Sequence, residues 1–257
     1  MYLYGVHTCA SALSHKKRNI LNIYVSNYDV LKTKEFSHYL PELRPQQEII
    51  DHIVRFGKKI SVQKADKNQI RNMVAEDAVH QGIVLQAEPL PFVDLSDLYE
   101  PSNKNSIIVV LDHISDPHNI GAILRSCAVF GVSGIVLTSR HSPKESALIA
   151  KIASGGLDLV PLCYVANLAQ AIDKLKDDGF WSVGLAENTN KTLQDIDMKG
   201  RIAIVMGSEG DGMRRLTQSK CDFTAKLLTA STMTTLNVSQ ATTLALAEAY
   251  RQQLLNQ

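Results

Sequence analysis

Hydrophobic and polar positions along this chain follow two periods in turn. Short, mostly apolar runs fall at residues 107–111, 134–137, 157–160, 181–186, 202–206 and 223–228. Runs of this length and character predict strands buried on both faces of a sheet. Between most of them the spacing becomes helical, over residues 168–176 and 213–220, and a last, alanine-rich helical pattern covers 239–254. After the first strand, Ile120, Ile123, Leu124, Cys127 and Ala128 recur at i, i+3, i+4, i+7 and i+8, a helix with one face turned to a sheet. Asp116 stands ready to cap that helix and Pro117 to occupy its first position. Arg125 lies off the apolar stripe. The alternation predicts an α/β fold with an open, mostly parallel, doubly wound sheet, whose ligands bind beyond the carboxyl ends of the strands.

A smaller alternation comes first: strand at 20–26, helix at 46–57, strand at 59–63, helix at 67–76 and strand at 82–88. Residues 87–106 contain three prolines, several acids and a polar end, the composition of a linker. The expected organisation is a small α/β domain over 1–88, a linker over 89–105 and a larger domain over 106–257.

Composition narrows the class. With 257 residues, 45% hydrophobic and 21% charged, the chain has the make-up of a folded globular protein. No apolar run approaches the roughly 20 residues of a membrane span. The positive charges of the first 18 residues follow the apolar part, the reverse of a signal peptide, so a cytoplasmic location is expected. Cys9, Cys127, Cys163 and Cys221 are scattered, which predicts neither a disulfide framework nor a metal site. His113 and His118 are read as hydrogen-bonding residues. The formal net charge of +1 hides an asymmetry: residues 1–75 carry 12 Lys and Arg against 6 Asp and Glu, the remainder 15 against 20. The first part is the one suited to a polyanion.

Two later stretches add candidate chemistry. "IVMGSEGDGMRRL", residues 204–216, reads as strand, glycine-rich turn and helix start. Its order is G-x-x-G-x-G and no Gly-Lys-Ser/Thr follows, which disfavours a dinucleotide or phosphate-loop site. Glu209 is a carboxylate inside that turn. "TTLNVSQATTLALAEAYR", residues 234–251, puts Asn237 just ahead of the last helix, with Ser239 as a plausible N-cap and Asn237, taken singly, as a capping or turn residue. Asn119 with Arg125, Glu209, and Asn237 are polar residues at strand ends that packing does not require.

In order and spacing, "LDHISDPHNIGAILRSCAVFG", "IVMGSEGDGMRRLTQSKCD" and "TLNVSQAT" resemble the three motifs of the SpoU/TrmH methyltransferases. The resemblance implies transfer of a methyl group from S-adenosylmethionine to ribose 2′-hydroxyls of RNA. "YLYGVHTCASAL" and "AVHQGIVLQAEP" are similar to the extra RNA-binding domain of those members that make 2′-O-methylguanosine in 23S ribosomal RNA. The resemblance further implies a C-terminal trefoil knot of the SPOUT class, an exception to the rule against knotted chains. It also implies a homodimer whose active site draws on both subunits. By motif position Asn119, Arg125, Glu209 and Asn237 match catalytic-site residues, and Gly207, Leu227 and Leu236 match backbone positions around the donor. A guanidinium stays protonated, so the role expected of Arg125 is electrostatic, as a clamp on RNA phosphate or a stabiliser of the nascent alkoxide.

The chain departs from the close family pattern in one loop: Leu228 stands for a proline, Thr229 for a methionine, Ser231 for a glycine and Thr235 for a serine. Loss of the proline and glycine changes the loop's pre-organisation. A non-catalytic RNA-binding or ribosome-assembly factor is therefore the alternative from another class.

Overall fold

The computed structural model describes residues 1–15, 17–39, 52–230 and 235–255. The chain forms two compact units, Met1–Pro91 with Glu145–Leu159, and Phe92–Lys144 with Val160–Gln257.

The first unit is built on a mixed sheet of β1 (Tyr2–Tyr4), β2 (Ile20–Val25), β3 (His52–Arg55), β4 (Lys58–Lys64) and β5 (Ile83–Ala87), ordered β1-β5-β2-β4-β3. Only the β2–β4 pair is parallel. Helices α1 (Val6–Ser14), α2 (Lys34–Tyr39) and α3 (Lys67–Met73) connect the strands. Asp66 caps α3 in a reciprocal box with Gln69, which satisfies donors at the helix start.

One expectation is corrected here. Of the helix expected over 46–57, residues 46–51 lie outside the described residues, and His52–Arg55 form a strand paired with β4. Phe56 and Gly57, at φ 50° and 77°, make the two-residue turn between them. Positive φ at both central positions is the hairpin geometry that matches strand twist, and glycine takes it without steric cost. Ile53 is buried and Val54 exposed, so cross-strand pairing overrode a helix-like spacing.

The second unit opens with a 3-10 turn at Leu95–Leu98, inside the expected linker, whose Leu95 and Leu98 are buried in its core. It continues with β6 (Ser106–Leu111), α4 (Pro117–Val129) and β7 (Gly134–Thr138). The chain then contributes α5 (Ala147–Ala153) and α6 (Gly156–Leu159) to the first unit. It resumes the second with β8 (Leu162–Val165), α7 (Leu168–Asp177), β9 (Trp181–Leu185), β10 (Arg201–Met206), α8 (Arg215–Lys220), β11 (Phe223–Ala225) and α9 (Val238–Leu254).

The strand expected at 157–160 is thus a helical turn, with the parallel strand displaced to Leu162–Val165. The reason is Asp158, whose buried carboxylate accepts from Arg18 Nε at 2.8 Å. Arg18 is fully buried at its side chain and also donates from Nη1 to Glu145 at 2.5 Å. The pair anchors both ends of Glu145–Leu159 within the first unit.

All strand pairs of the second sheet are parallel, in the order β11-β9-β10-β6-β7-β8. Ile108 and Val110 of β6 and Ala203 and Val205 of β10 share a core with Leu168, Ile172 and Leu175 of α7. Helix α9 packs against α4 and β10, and Ser126 and Thr243 hydrogen-bond between the two helices at 2.7 Å. From β6 the chain builds outward through β7 and β8, and from β10 it continues to β11 on the other side. The carboxyl ends of β6 and β10 therefore flank a topological switch point, where open α/β sheets bind ligands. Among the described residues no helix is long and apolar enough to cross a membrane.

Candidate active site

Three segments meet at this switch point. Asp116 caps α4 by accepting from the His118 N–H at 2.9 Å, which sets Asn119 in the first turn. The turn after β10 closes on itself through paired bonds, Ser208 N–H to Gly212 O at 3.1 Å and Gly212 N–H to Ser208 O at 3.0 Å, presenting Glu209. Of the two capping candidates, Asn237 rather than Ser239 caps α9: its Oδ1 accepts from the Ser239 N–H at 2.8 Å and from the Ser239 hydroxyl at 2.6 Å. This is the ordinary N-cap bond, to the N–H of the second helical residue.

Asn119, Glu209 and Asn237 form a hydrogen-bonded triangle. Asn237 Nδ2 donates to Glu209 Oε1 at 2.6 Å and to Asn119 Oδ1 at 3.0 Å, and Asn119 Nδ2 donates to the same Glu209 oxygen at 3.0 Å. The Val238 N–H points at that oxygen from 3.4 Å. One carboxylate oxygen thus ties together α4, the β10 turn and the start of α9. The other makes no hydrogen bond among the described residues, and the cluster faces solvent.

A second tie went unread in the sequence. Asp112, fully buried directly after β6, accepts from the Arg214 backbone N–H at 2.9 Å and from Arg214 Nε at 2.7 Å. It locks the β6 loop to the β10 loop beneath the triangle. An acid directly after a buried strand, with an arginine pair at 214–215, is the only sequence signal for it.

The Arg125 side chain is exposed and has neither a hydrogen bond nor an ion pair among the described residues. Six residues beyond Asn119 on one helix, it stands about 240° around the axis and about 9 Å along it. The fold therefore gathers Asn119, Glu209 and Asn237 and leaves Arg125 apart.

Of the candidate donor-binding positions, Gly207 directly follows β10, Leu227 lies just after β11 and Leu236 just before Asn237 at the start of α9. Gly207 is a glycine by close approach: a Cβ there would stand 2.1 Å from Gly212 C and from Met213 N. Gly207→Ala is expected to force the turn open and cost about 1–3 kcal/mol of stability. Urea denaturation measures it, and a loss below about 0.5 kcal/mol would show that the turn yields freely. Leu227 is half-buried, Leu228 is 69% exposed and Leu236 40% exposed. Of the departures from the family loop, Thr229 and Thr235 are exposed and Ser231 lies outside the described residues. Among the described residues no group of three or more His, Cys, Asp or Glu is placed to hold a metal ion.

Comparison with known proteins bears on this geometry. The profile of the SpoU rRNA Methylase family matches residues 106–247, and that for RNA 2′-O ribose methyltransferase substrate binding matches residues 2–93. The chain is 34% identical to the 23S rRNA (guanosine-2′-O-)-methyltransferase RlmB of Pseudomonas aeruginosa, over 97% of this chain and 96% of the relative. It is 33% identical to the Vibrio cholerae protein of the same name, over 99% and 98%. The crystal structure of the SpoU methyltransferase AviRb from Streptomyces viridochromogenes with its cofactor AdoMet superposes with a TM-score of 0.75 at 19% identity, over 98% of this chain and 89% of that one. With its family domain over residues 106–247 and relatives alike along nearly their whole length, this chain belongs to the SpoU rRNA methylase family.

Proposed function

We propose that this protein transfers the methyl group of S-adenosylmethionine to the ribose 2′-hydroxyl of a guanosine in 23S ribosomal RNA, acting in the cytoplasm as a homodimer. The observation that carries this reading is the Asn119–Glu209–Asn237 triangle at the switch point of a sheet of this family. The activity named for the RlmB relatives, which align over nearly the whole chain, supports the substrate. The intact triangle disfavours a non-catalytic assembly factor.

The residues present fit the donor. Gly207 directly follows β10, Leu227 lies just after β11 and Leu236 adjoins Asn237 of the triangle, and the exposed Leu228 and Leu236 are apolar residues suited to packing on an adenosine. When bound, S-adenosylmethionine supplies an electrophilic methyl on a sulfonium, which needs no metal ion for activation. The hydroxyl must approach in line and lose its proton, so negative charge develops on its oxygen. Asn119, Glu209 and Asn237 hold the three loops in register and orient the nucleotide. Arg125 stabilises the developing charge or clamps the neighbouring phosphate.

Because Arg125 stands apart from the triangle on its own helix, we assign it to the site of the partner subunit. Val129, four residues on and therefore on the same face, is 70% exposed, and Leu244 and Leu254 of the adjoining α9 are each 50% exposed. A two-fold contact through this face covers that apolar surface and carries two arginines across. The threading that goes with this reading is a trefoil knot in the C-terminal part of the chain. The basic region within residues 1–88 supplies the RNA affinity, through phosphate contacts.

The test is transfer of label from S-adenosylmethionine to protein-free 23S rRNA, followed by mapping of 2′-O-methyl positions. One methylated guanosine is expected, with incorporation abolished in Glu209→Ala. A wild-type protein that binds the donor in calorimetry but labels no ribosomal or transfer RNA sinks the reading.

A further inference from the structure

Four described residues other than glycine have positive φ: Phe56, Gln81, His113 and Ser154. The hairpin turn accounts for Phe56, and Ser154 ends α5. Gln81 spends its side chain on the Val6 N–H and Lys151 Nζ. His113, at φ 58°, is different. It falls between the buried Asp112 and the buried Ile114, in a backbone region that strains any L-residue with a large side chain. Such strain persists where surrounding structure over-determines it, and it collects at ligand-binding positions.

What the strained backbone achieves is the placement of a ring. The His113 imidazole lies against that of His141, with centroids 4.4 Å apart and planes inclined by 36°. His113 leaves β6 and His141 follows β7, the neighbouring parallel strand, so the two rings bridge adjacent loops at the carboxyl edge of the sheet. His113 Nε2 is buried without a hydrogen-bond partner, so the ring is not held there by a hydrogen bond at that atom. Burial first, and then the Arg214 charge, hold the His113 ring below the usual histidine range, which favours its neutral form in the stack. His141 is exposed and is flanked by exposed Arg140 and, three residues on, by exposed Lys144.

We propose that His113 and His141 form a stacking platform for an unpaired RNA base beside the reacting ribose. His113 buttresses one side of the His141 ring, and the exposed ring receives the base. Single-stranded RNA is recognised by stacking splayed bases on aromatic side chains, histidine among them. The cationic neighbours keep the approaching backbone close. The platform begins six residues before Asn119, on the loop that leads into α4, so a base held there positions its nucleotide relative to the triangle. Both histidines are positioning residues. The proposal rests on the RNA methyltransferase reading.

The test compares His141→Ala, His141→Phe and His113→Gly in the full-length protein, with protein-free 23S rRNA as substrate. Loss of a base stack is expected to raise the KM for RNA about tenfold in His141→Ala, with kcat and donor affinity within about twofold. Phenylalanine stacks as well, so His141→Phe should restore most of the KM. His113→Gly removes the buttress but relieves the left-handed strain. It should raise the KM while leaving the melting temperature unchanged or higher, whereas a merely structural histidine would lower it. An unchanged KM in His141→Ala, with wild-type turnover intact, overturns the platform alone. So does failure of His141→Phe to improve on alanine. A KM rise accompanied by a salt slope shallower by about one unit also overturns it, since the lost contact was then to phosphate. Absence of wild-type methyl transfer to RNA overturns the platform together with the reading beneath it.

Discussion

Arg125→Ala is expected to lower the single-turnover rate of methyl transfer by about a hundredfold or more, the scale of losing one donor to developing charge. Donor binding and stability should barely move, since the side chain is exposed and off the packed stripe of α4; surface substitutions of this kind change stability by a few tenths of a kcal/mol, roughly. Lysine at the same position should recover only part of the rate, because a point charge lacks the planar fork that grips phosphate at two points. The placement across the dimer is checked by mixing Arg125→Ala with Glu209→Ala subunits. Each homodimer is dead, but half the mixed population is heterodimeric, with one site carrying both lesions and one carrying neither. About a quarter of wild-type activity should return. Near wild-type turnover in Arg125→Ala would reduce the residue to a solvated charge. A mixture that recovers nothing would return the arginine to its own subunit's site.

Arg18→Met is the largest expected change in stability. The substitution preserves bulk but leaves Asp158, 1% exposed at its side chain, and Glu145, 14% exposed, facing each other without a cation. Removing one partner of a buried ion pair costs about 3–5 kcal/mol, a large share of an ordinary domain's stability. Burial already holds the Asp158 carboxyl above its usual range, with Arg18 opposing the shift. Without Arg18 it rises further, so the folded variant binds a proton that the unfolded chain does not. Stability of the variant then increases as pH falls through the folded-state value, and the deficit is largest at neutral pH and above. Urea titrations of both proteins at neutral and mildly acidic pH read this directly. A cost below about 1 kcal/mol at neutral pH would mean that water or a rearranged side chain replaces the guanidinium.

The parts of this fold that were legible are those whose information is local. Ile107–Leu111 and Ile202–Met206 are apolar on both faces because parallel central strands are covered on both, and on the α4 stripe Ile120, Ile123, Leu124 and Cys127 are buried and Ala128 half-buried. The polar residues Asn119, Glu209 and Asn237 could be singled out, but they meet across sequence separations of 90, 118 and 28 residues, which no period encodes. Only the likeness to a family connected them. The remaining misses share a cause. Residues 52–55 look helical until β4 is there to pair with, and "GLDLV" looks like a strand until Arg18 claims its aspartate. Asn237 and Ser239 were both readable as caps of α9; the Asn237 oxygen takes the role while its amide nitrogen serves the triangle, a tertiary demand that capping preferences do not encode. The left-handed backbone of His113 had no sequence signal at all, since glycine and not histidine is what such a position announces.

The ion pair of Arg18 with Asp158 spans 140 residues of chain, and that separation sets a timetable during synthesis. Chains grow at about 5–20 residues per second and domains ordinarily fold as they emerge. The first unit cannot, because α5 and α6 are encoded after β6, α4 and β7. For roughly 7–30 seconds the nascent N-terminal sheet waits with the Arg18 guanidinium lacking both carboxylates and part of its apolar surface uncovered. Completion of the first unit is thereby made conditional on the ribosome having already delivered the first strands of the second.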